Sequence, residues 1–286
     1  MLALAGGVEY VHEPDNERVS LIGKWFKTDV PRFPYLRPGD DAPRYRRLWE
    51  YAARSRCAML LSRSQLTRVC KAVHPWRDAA VRARERRLLA GFEHRPAPPG
   101  PTIEIDRRHP RIIKTVHAVL CAEWITSVIP VDRVIVTRRH PLAILASWRR
   151  LCLPDATRDY TLSDRLVEAV LGRTVRVSSE LGRQALHLAV LQCGLQSQVK
   201  RHADWIVVKH EELCKEPSAG FLELYRRVGL TFTPRVEAGI AARNRAGTGF
   251  TPRRVAADEI DKWKNDYSPA ELEEATNVLT TAGLWP

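Results

Sequence analysis

The sequence contains no run of apolar residues long enough to cross a membrane as a helix. Its opening segment, MLALAGG, is too short for the hydrophobic core of a signal peptide, and no basic segment precedes it. These two absences argue against a transmembrane segment and against secretion. We therefore expect a cytoplasmic protein.

Cysteine is scarce and scattered. The 6 cysteines form no Cys-x-x-Cys pair and have no histidine at ligand spacing, which indicates neither a zinc site nor a disulfide framework. We interpret them as buried thiols in a reducing compartment and expect no metal. They are Cys57, Cys70, Cys121, Cys152, Cys193 and Cys214.

Negative charge is scarce relative to positive charge. Lys and Arg number 46 against 33 Asp and Glu, a formal net charge of +13 that is carried mostly by arginine. Such an excess favours anionic partners, including phosphate, sulfate, nucleic acid and acidic membrane surfaces, without choosing among them. A single surface arginine is equally well explained as solvated. In the arginine-rich segment 75–91, Trp76 is the one interleaved aromatic, so we expect no nucleic-acid partner.

Length and composition predict one domain. The chain has 286 residues, of which 44% are hydrophobic, enough for one core over residues 1–286. A helical pattern that ends near Gly91, followed by the proline-rich linker RPAPPGP at 95–101, predicts a helical insertion over residues 43–95. Before it, the sequence Arg-Pro-Gly-Asp at 37–40 predicts a turn.

Short apolar runs alternate with helical patterns after the linker. The runs are RIIK at 111–114, DRVIVT at 132–137 and DWIVVKH at 204–210, and an extended piece lies near the start at 7–14. This alternation predicts an α/β fold with a parallel sheet covered on both faces by helices. Ligands of such folds bind at the carboxyl ends of the strands.

One strand end carries groups suited to a phosphate. DRVIVT reads as a buried strand, and a helix begins at Pro141, where proline is tolerated in the first turn. Between them stands Arg139, and Ser147 follows about two helical turns later. A guanidinium fork and a hydroxyl suit a terminal phosphate. From spacing alone, the simpler interpretation is that Arg139 pairs with a nearby carboxylate and that Ser147 binds no ligand.

The surroundings of this strand resemble the sulfotransferase family. In that family a strand ends in Arg-x-Pro, with a serine eight residues after the arginine, and Arg139, Pro141 and Ser147 stand at these spacings. The resemblance implies that Arg139 and Ser147 bind the 3'-phosphate of the sulfate donor, 3'-phosphoadenosine 5'-phosphosulfate. It also implies a three-layer α/β/α fold with a parallel sheet, like that of P-loop kinases.

Four further segments are similar to family segments and occur in family order. They are GVEYVHEPDN at 7–16, HPRIIKTVH at 109–117, VVKHEELCKEP at 207–217 and KWKNDYS at 262–268. Each is weakly specific alone, whereas five motifs in one order are fairly specific. Together they cover most of the chain outside its helical 43–91 region.

One family element has no counterpart. A first central strand and a Gly/Ser/Thr-rich loop that holds the 5'-phosphosulfate would precede the segment matching MLALAGGVEYVHEP. We interpret RAGTGFTP at 245–252 as an ordinary loop, since no strand precedes it and it has no lysine. LALAGG is similar to the end of the helix that follows the loop, so we expect a fragment that starts late rather than a degenerate member. On this interpretation the 286-residue chain has weak donor binding and little activity.

The resemblance implies two candidates for the base that deprotonates the acceptor. Glu13 is the glutamate of the Glu-Pro segment, with a plain turn glutamate as the equal alternative. His117 lies three residues after Lys114, whereas the family histidine lies two after its lysine, so its role requires a helix that begins near Thr115. A histidine packed at a helix start is the commoner outcome. Lys114 would stabilise the bridging oxygen of the donor, with a salt bridge as its alternative.

The remaining nucleotide contacts are also implied by the resemblance. His210 stands where relatives carry an adenine-contacting tyrosine, and Trp263 would pack on adenine or belong to the core. Arg253 and Arg254 would add to the 3'-phosphate site, although they lie farther from the Trp-Lys-Asn segment than the family's basic pair.

The predicted function is transfer of a sulfuryl group from 3'-phosphoadenosine 5'-phosphosulfate to a hydroxyl or amine of a small-molecule, carbohydrate or lipid acceptor. The alternative is a non-catalytic or truncated relative that binds anionic ligands. A nucleotide kinase is disfavoured because the sequence has no GxxxxGK[ST] loop. Neither the acceptor nor the oligomeric state follows from the sequence.

Overall fold

The computed structural model mixes helices with short parallel strands. It divides into two compact units, Gly7–Val131 and a second unit formed by Met1–Gly6 with Asp132–Pro286. The helical pattern beyond Arg54, the linker at 95–101 and most of RAGTGFTP lie outside the described residues. The structure describes residues 1–17, 20–54, 110–151, 162–247 and 253–284.

In the unit Gly7–Val131, two strands form a parallel pair. Strand β1 is Glu9–His12 and strand β2 is Arg111–Lys114, in register from Glu9 opposite Arg111 to His12 opposite Lys114. Both strands were predicted from the sequence and are confirmed. Because parallel strands in register end side by side, the residues that follow β1 meet the carboxyl end of β2.

Helices α1 (Leu21–Phe26), α2 (Pro43–Arg54) and α3 (Ala122–Val128) complete this unit. A 3-10 turn at Ala118–Leu120 precedes α3, so the predicted helix after β2 is two pieces. The helices share an aromatic-rich core whose members include Phe26, Tyr45, Leu48, Trp49 and Trp124.

The predicted turn at 37–40 is confirmed. The Asp40 amide donates to the Arg37 carbonyl at 2.9 Å. Gly39 adopts a φ of 95°, which a residue with a Cβ rarely does. The Asp40 carbonyl in turn accepts from Trp124 Nε1 at 2.9 Å, which ties the turn to α3.

The second unit contains the other parallel pair, β3 (Ile135–Arg138) and β4 (Ile206–Lys209). The prediction of a buried strand here is only partly correct, because Val136 is buried whereas Thr137 and Arg138 are exposed. Within the described part of the chain, β3 and β4 form a sheet of two strands.

Helix α4 (Pro141–Arg150) begins at Pro141, as predicted, and packs with the long helix α6 (Glu180–Arg201) and the last helix α11 (Pro269–Thr281). Serine or threonine caps several of the helices, and proline opens others. No described helix is long and apolar enough to cross a membrane. The remaining helices are α5 (Asp164–Leu171), α7 (His210–Lys215), α8 (Pro217–Val228), α9 (Pro234–Ala241) and α10 (Asp258–Asp261), with 3-10 turns at Leu2–Leu4 and Lys262–Asp266.

Candidate functional site

Glu13 stands in an unusual backbone conformation at the end of β1. Its φ is +46°, and among the described residues it is the one non-glycine residue with a positive φ. The left-handed region is unfavourable for a residue with a long side chain, and the following Pro14 restricts the backbone further. The Glu13 amide donates to the Lys114 carbonyl at 2.7 Å, which anchors the turn to β2. Residues held in strained conformations cluster at functional sites.

The Glu13 side chain is buried against Lys114. Its carboxylate accepts hydrogen bonds from Lys114 Nζ and from Asn16 Nδ2, the latter at 2.7 Å. Burial alone would raise the pKa of Glu13, but the hydrogen bonds from Lys114 and Asn16 outweigh it and lower the pKa below its ordinary value. The structure thus brings two predicted residues together and holds the carboxylate ionised. A carboxylate with a lowered pKa is also a weaker base.

His117 lies in the interior, where its side chain is 3% exposed. Nδ1 is 3.3 Å from the Asp15 carbonyl and 3.5 Å from Glu17 Oε2, and the ring meets Phe33 edge-on. The 3-10 turn begins at Ala118 with His117 just before it. This placement agrees with a histidine packed at a helix start. The role of His117 as the base stays a prediction.

Sequence reasoning missed a buried polar network directly after the Glu-Pro segment. Asp15 is completely buried and accepts hydrogen bonds from Thr115 Oγ1 at 2.7 and 2.8 Å and from the Tyr45 hydroxyl at 3.3 Å. The sequence signal for this network is the polar run Asp-Asn-Glu directly after a strand end. If the fold buries such carboxylates, each of them needs several hydrogen-bond donors nearby. This network fixes the segment that carries Glu13.

The second carboxylate of this network is Glu17, which lies close to three basic side chains. Its oxygens lie 3.3 Å from Lys27 Nζ, 3.5 Å from Arg32 Nε and 3.5 Å from His117 Nδ1. Burial would raise the pKa of Glu17, but the hydrogen bond from His117 and the charge of Lys27 bring it down to about 2. Lys27 is itself buried and donates to the Arg32 carbonyl at 2.6 Å.

In the second unit, Arg139 follows directly after β3 and pairs with Glu259. Arg139 Nη2 is 3.5 Å from Glu259 Oε2. Within the described part of the chain, Nε and Nη2 of Arg139 are buried and have no hydrogen-bond partner. Arg254 Nε and Lys262 Nζ lie 3.9 and 3.4 Å from Glu259 Oε1. We call these four residues the Glu259 cluster. Sequence reasoning predicted Arg139 and Arg254 but missed Glu259 and Lys262.

Trp263 packs on the residue next to Arg139. Its ring stacks on His140 with centroids 4.5 Å apart and planes at 13°, so one face of the indole is covered by the imidazole. The His140 amide donates to Glu211 Oε1 at 2.8 Å. The predicted contact of Trp263 with adenine therefore leaves only the opposite face of the indole, and the contact stays a prediction.

His210 begins α7 within the electrostatic reach of Arg139. Burial, followed by the positive charge of Arg139, lowers the pKa of His210 below its ordinary value, so the ring is neutral at pH 7. Its Nδ1 is 3.6 Å from Cys214 Sγ. Ser147 is half-buried on α4, and Arg253 is exposed. The convergence of Arg139 and Ser147 on one phosphate stays a prediction.

Among the described residues, no group of three or more His, Cys, Asp or Glu side chains could hold a metal ion, and Cys121, Cys193 and Cys214 are free thiols. Comparison of the chain with protein-family models, with curated proteins and with solved structures finds no match.

Proposed function

We propose that the protein is a sulfotransferase that uses 3'-phosphoadenosine 5'-phosphosulfate, with a three-layer α/β/α fold of the P-loop-kinase type. The observation that carries the proposal is Arg139, a partly buried arginine at the carboxyl end of a parallel strand. It shares a single carboxylate, Glu259, with Arg254. A strand end with more positive than negative charge is the kind of place where α/β proteins bind anionic ligands.

The donor would be held by residues of the second unit. Arg139 and Ser147 bind the 3'-phosphate, and Arg254 adds a second guanidinium. His210, kept neutral by burial and by Arg139, suits contact with an uncharged adenine ring. Trp263 stacks on His140 and packs against the core formed by α4, α6 and α11, so it would contact adenine with the part of the indole that stays exposed.

Catalysis would use the pair at the ends of β1 and β2. The acceptor hydroxyl gives its proton to the Glu13 carboxylate while its oxygen forms a bond to sulfur. The bond between sulfur and the bridging oxygen of the 5'-phosphate breaks, and that oxygen takes the electron pair. Lys114 stabilises the negative charge on the departing phosphate. Because Lys114 now donates to Glu13, the acceptor has to replace it as the partner of the carboxylate.

A second candidate function is anion binding without transfer. The observation that favours it is the lowered pKa of Glu13. An ionised carboxylate that is paired with Lys114 is a weak base and is poorly suited to remove a proton from an acceptor. Under this alternative the Arg139 site binds a 3'-phosphorylated nucleotide and the donor is never desulfated.

The 3'-phosphate site is tested by titration calorimetry with adenosine 3'-monophosphate and adenosine 5'-monophosphate. The ratio of the two affinities reports recognition of the 3'-phosphate independently of how a 5'-phosphosulfate is held. We expect the wild type to prefer the 3'-isomer, and Arg139→Ala to lower its affinity about tenfold or more, since a charge-assisted hydrogen bond is lost. The matched control is Arg183→Ala, which removes an exposed arginine paired with Glu180 on α6.

Equal affinity of the wild type for both isomers would contradict the proposed donor site, as would equal effects of the two alanine variants. Transfer is tested in a chain supplied with a loop for the 5'-phosphosulfate. If that chain prefers the 3'-isomer but forms no desulfated nucleotide from the donor with any added phenol, amine or sugar, the binding function replaces the transferase.

A further inference from the structure

The Glu259 cluster has an imbalance of charge. Arg139, Arg254 and Lys262 bring three positive charges to a single carboxylate. Glu259 belongs to the four-residue helix α10, and its side chain is 14% exposed. The four residues of the cluster therefore have a formal charge of +2, and Glu211, which accepts from the His140 amide next to Arg139, adds one negative charge beside them.

The contacts within the cluster are long. The two guanidinium groups lie 3.5 and 3.9 Å from the Glu259 oxygens, beyond the 2.7–2.9 Å of a charge-assisted hydrogen bond. At these distances Nε and Nη2 of Arg139 have no hydrogen-bond partner among the described residues. A phosphate monoester dianion brings three peripheral oxygens and two charges, which matches the cluster better.

We propose that Glu259 occupies the position of the phosphate group and has to move aside before an anion binds to Arg139. This inference rests on the proposed 3'-phosphate site and adds an intrinsic competitor to it. A phosphate monoester carries two charges near neutral pH, one more than Glu259, and displaces the carboxylate. Every anion has to displace the same carboxylate, so Glu259 lowers the affinity of the Arg139 site for phosphate and sulfate monoesters alike.

The test compares Glu259→Gln with Asp258→Asn, a neighbouring substitution at an exposed residue that makes the same change of charge. Affinities for inorganic phosphate, phenyl phosphate and phenyl sulfate are measured by calorimetry. Glu259→Gln should bind phosphate and phenyl phosphate about tenfold more tightly than the wild type, because a like charge is removed from the partly buried anion position. Phenyl sulfate should gain affinity as well, because it has to displace the same carboxylate. Asp258→Asn should change each affinity less than threefold.

Thermal unfolding supplies a second measurement. Without an anion, Glu259→Gln leaves three cations facing one another, so its unfolding temperature should fall below that of the wild type. Added phosphate should then raise the unfolding temperature of Glu259→Gln more than that of the wild type. If Glu259→Gln does not fold, Glu259→Asp withdraws the carboxylate by one methylene and should show a smaller gain in phosphate affinity.

The outcomes separate this inference from the proposed function. If the Glu259 variants bind phosphate no more tightly than the wild type, the inference is wrong, and a wild-type preference for adenosine 3'-monophosphate would still support the donor site. If the variants gain affinity for inorganic phosphate while the two adenosine monophosphates bind equally, the competing role of Glu259 stands and the donor assignment fails. If Asp258→Asn gains as much phosphate affinity as Glu259→Gln, the effect comes from the net charge of the region rather than from Glu259, and the inference is wrong.

Discussion

The substitution Glu17→Gln should destabilise the unit Gly7–Val131 markedly, although Glu17 touches no proposed substrate. Glu17 pairs with Lys27, whose side chain is 3% exposed, and lies 3.5 Å from both Arg32 and His117. The amide keeps the shape of the side chain and removes its charge. Lys27 then remains buried without its carboxylate partner, which is the situation that makes breaking a buried ion pair costly.

The magnitude follows from the pKa of Glu17. A fall from 4.5 to about 2 corresponds to roughly 3 kcal/mol of stabilisation of the ionised form in the folded protein. Because the side chain is 29% exposed, solvent screening reduces this value, and we expect a loss of about 2 kcal/mol at pH 7. Chemical denaturation followed by tryptophan fluorescence measures the loss.

The pH dependence has a definite sign. The folded-state pKa of Glu17 is depressed, so its contribution is complete above about pH 4.5 and disappears as the pH falls toward about 2. The difference in unfolding free energy between the wild type and Glu17→Gln should therefore shrink through this range.

Two further variants complete the test of Glu17. Asp29→Asn breaks an exposed pair with Arg44 and should cost less than about 0.5 kcal/mol. Adding Lys27→Met to Glu17→Gln should recover much of the loss, because the unpaired charge is gone. A Glu17→Gln protein as stable as Asp29→Asn at pH 7, or a difference that does not shrink in acid, would refute the reasoning.

Further substitutions test the Glu13 turn and the assignment of the base. In Gly23→Ala the new methyl group would lie 2.5 Å from the Pro14 carbonyl oxygen, so the turn or α1 has to shift and the free energy of unfolding should fall by about 1–2 kcal/mol. Gly6→Ala is the control because the space around its Cβ is open, and equal unfolding free energies of the two variants would contradict the close contact. In a chain supplied with a loop for the 5'-phosphosulfate, Glu13→Gln should reduce turnover of the donor while affinity for adenosine 3'-monophosphate stays unchanged, and wild-type turnover would end the role of Glu13 as the base. A large loss of turnover in His117→Ala alone would assign that role to His117.

The local elements were predictable because their signals are local. The extended run near the start and the β-branched run RIIK predicted β1 and β2, the Pro-Gly pair predicted the turn at 37–40, and α4 begins at Pro141. The pairing of the strands was not predictable from such local signals. Each parallel pair joins segments that are far apart in the chain, and an apolar run does not specify its partner. Among the described residues the strands form two pairs, β1 with β2 and β3 with β4.

The partners of the candidate residues were also not predictable from local sequence. The sequence predicted Arg139 from the strand end that it follows, but its partner Glu259 lies on α10, far along the chain. Nothing in the segment Asp-Glu-Ile-Asp distinguishes that glutamate from a solvated one. Glu17 and Lys27 were likewise missed, because each looks like a surface charge until the fold buries the other beside it.

In each unit, a strand-end cation is held by a carboxylate of the chain itself, yet the two carboxylates suit different tasks. Glu13 is fixed by its backbone hydrogen bond to Lys114 and by Asn16, in a conformation that few residues adopt, so its carboxylate stays in place. Among the described residues, the Glu259 carboxylate lies 3.4 Å or more from each of its three cations. A fixed carboxylate can accept a proton from a bound acceptor, whereas a loosely held one can give way to a phosphate. Removing charge at Glu13 should therefore impair chemistry, and removing it at Glu259 should improve binding.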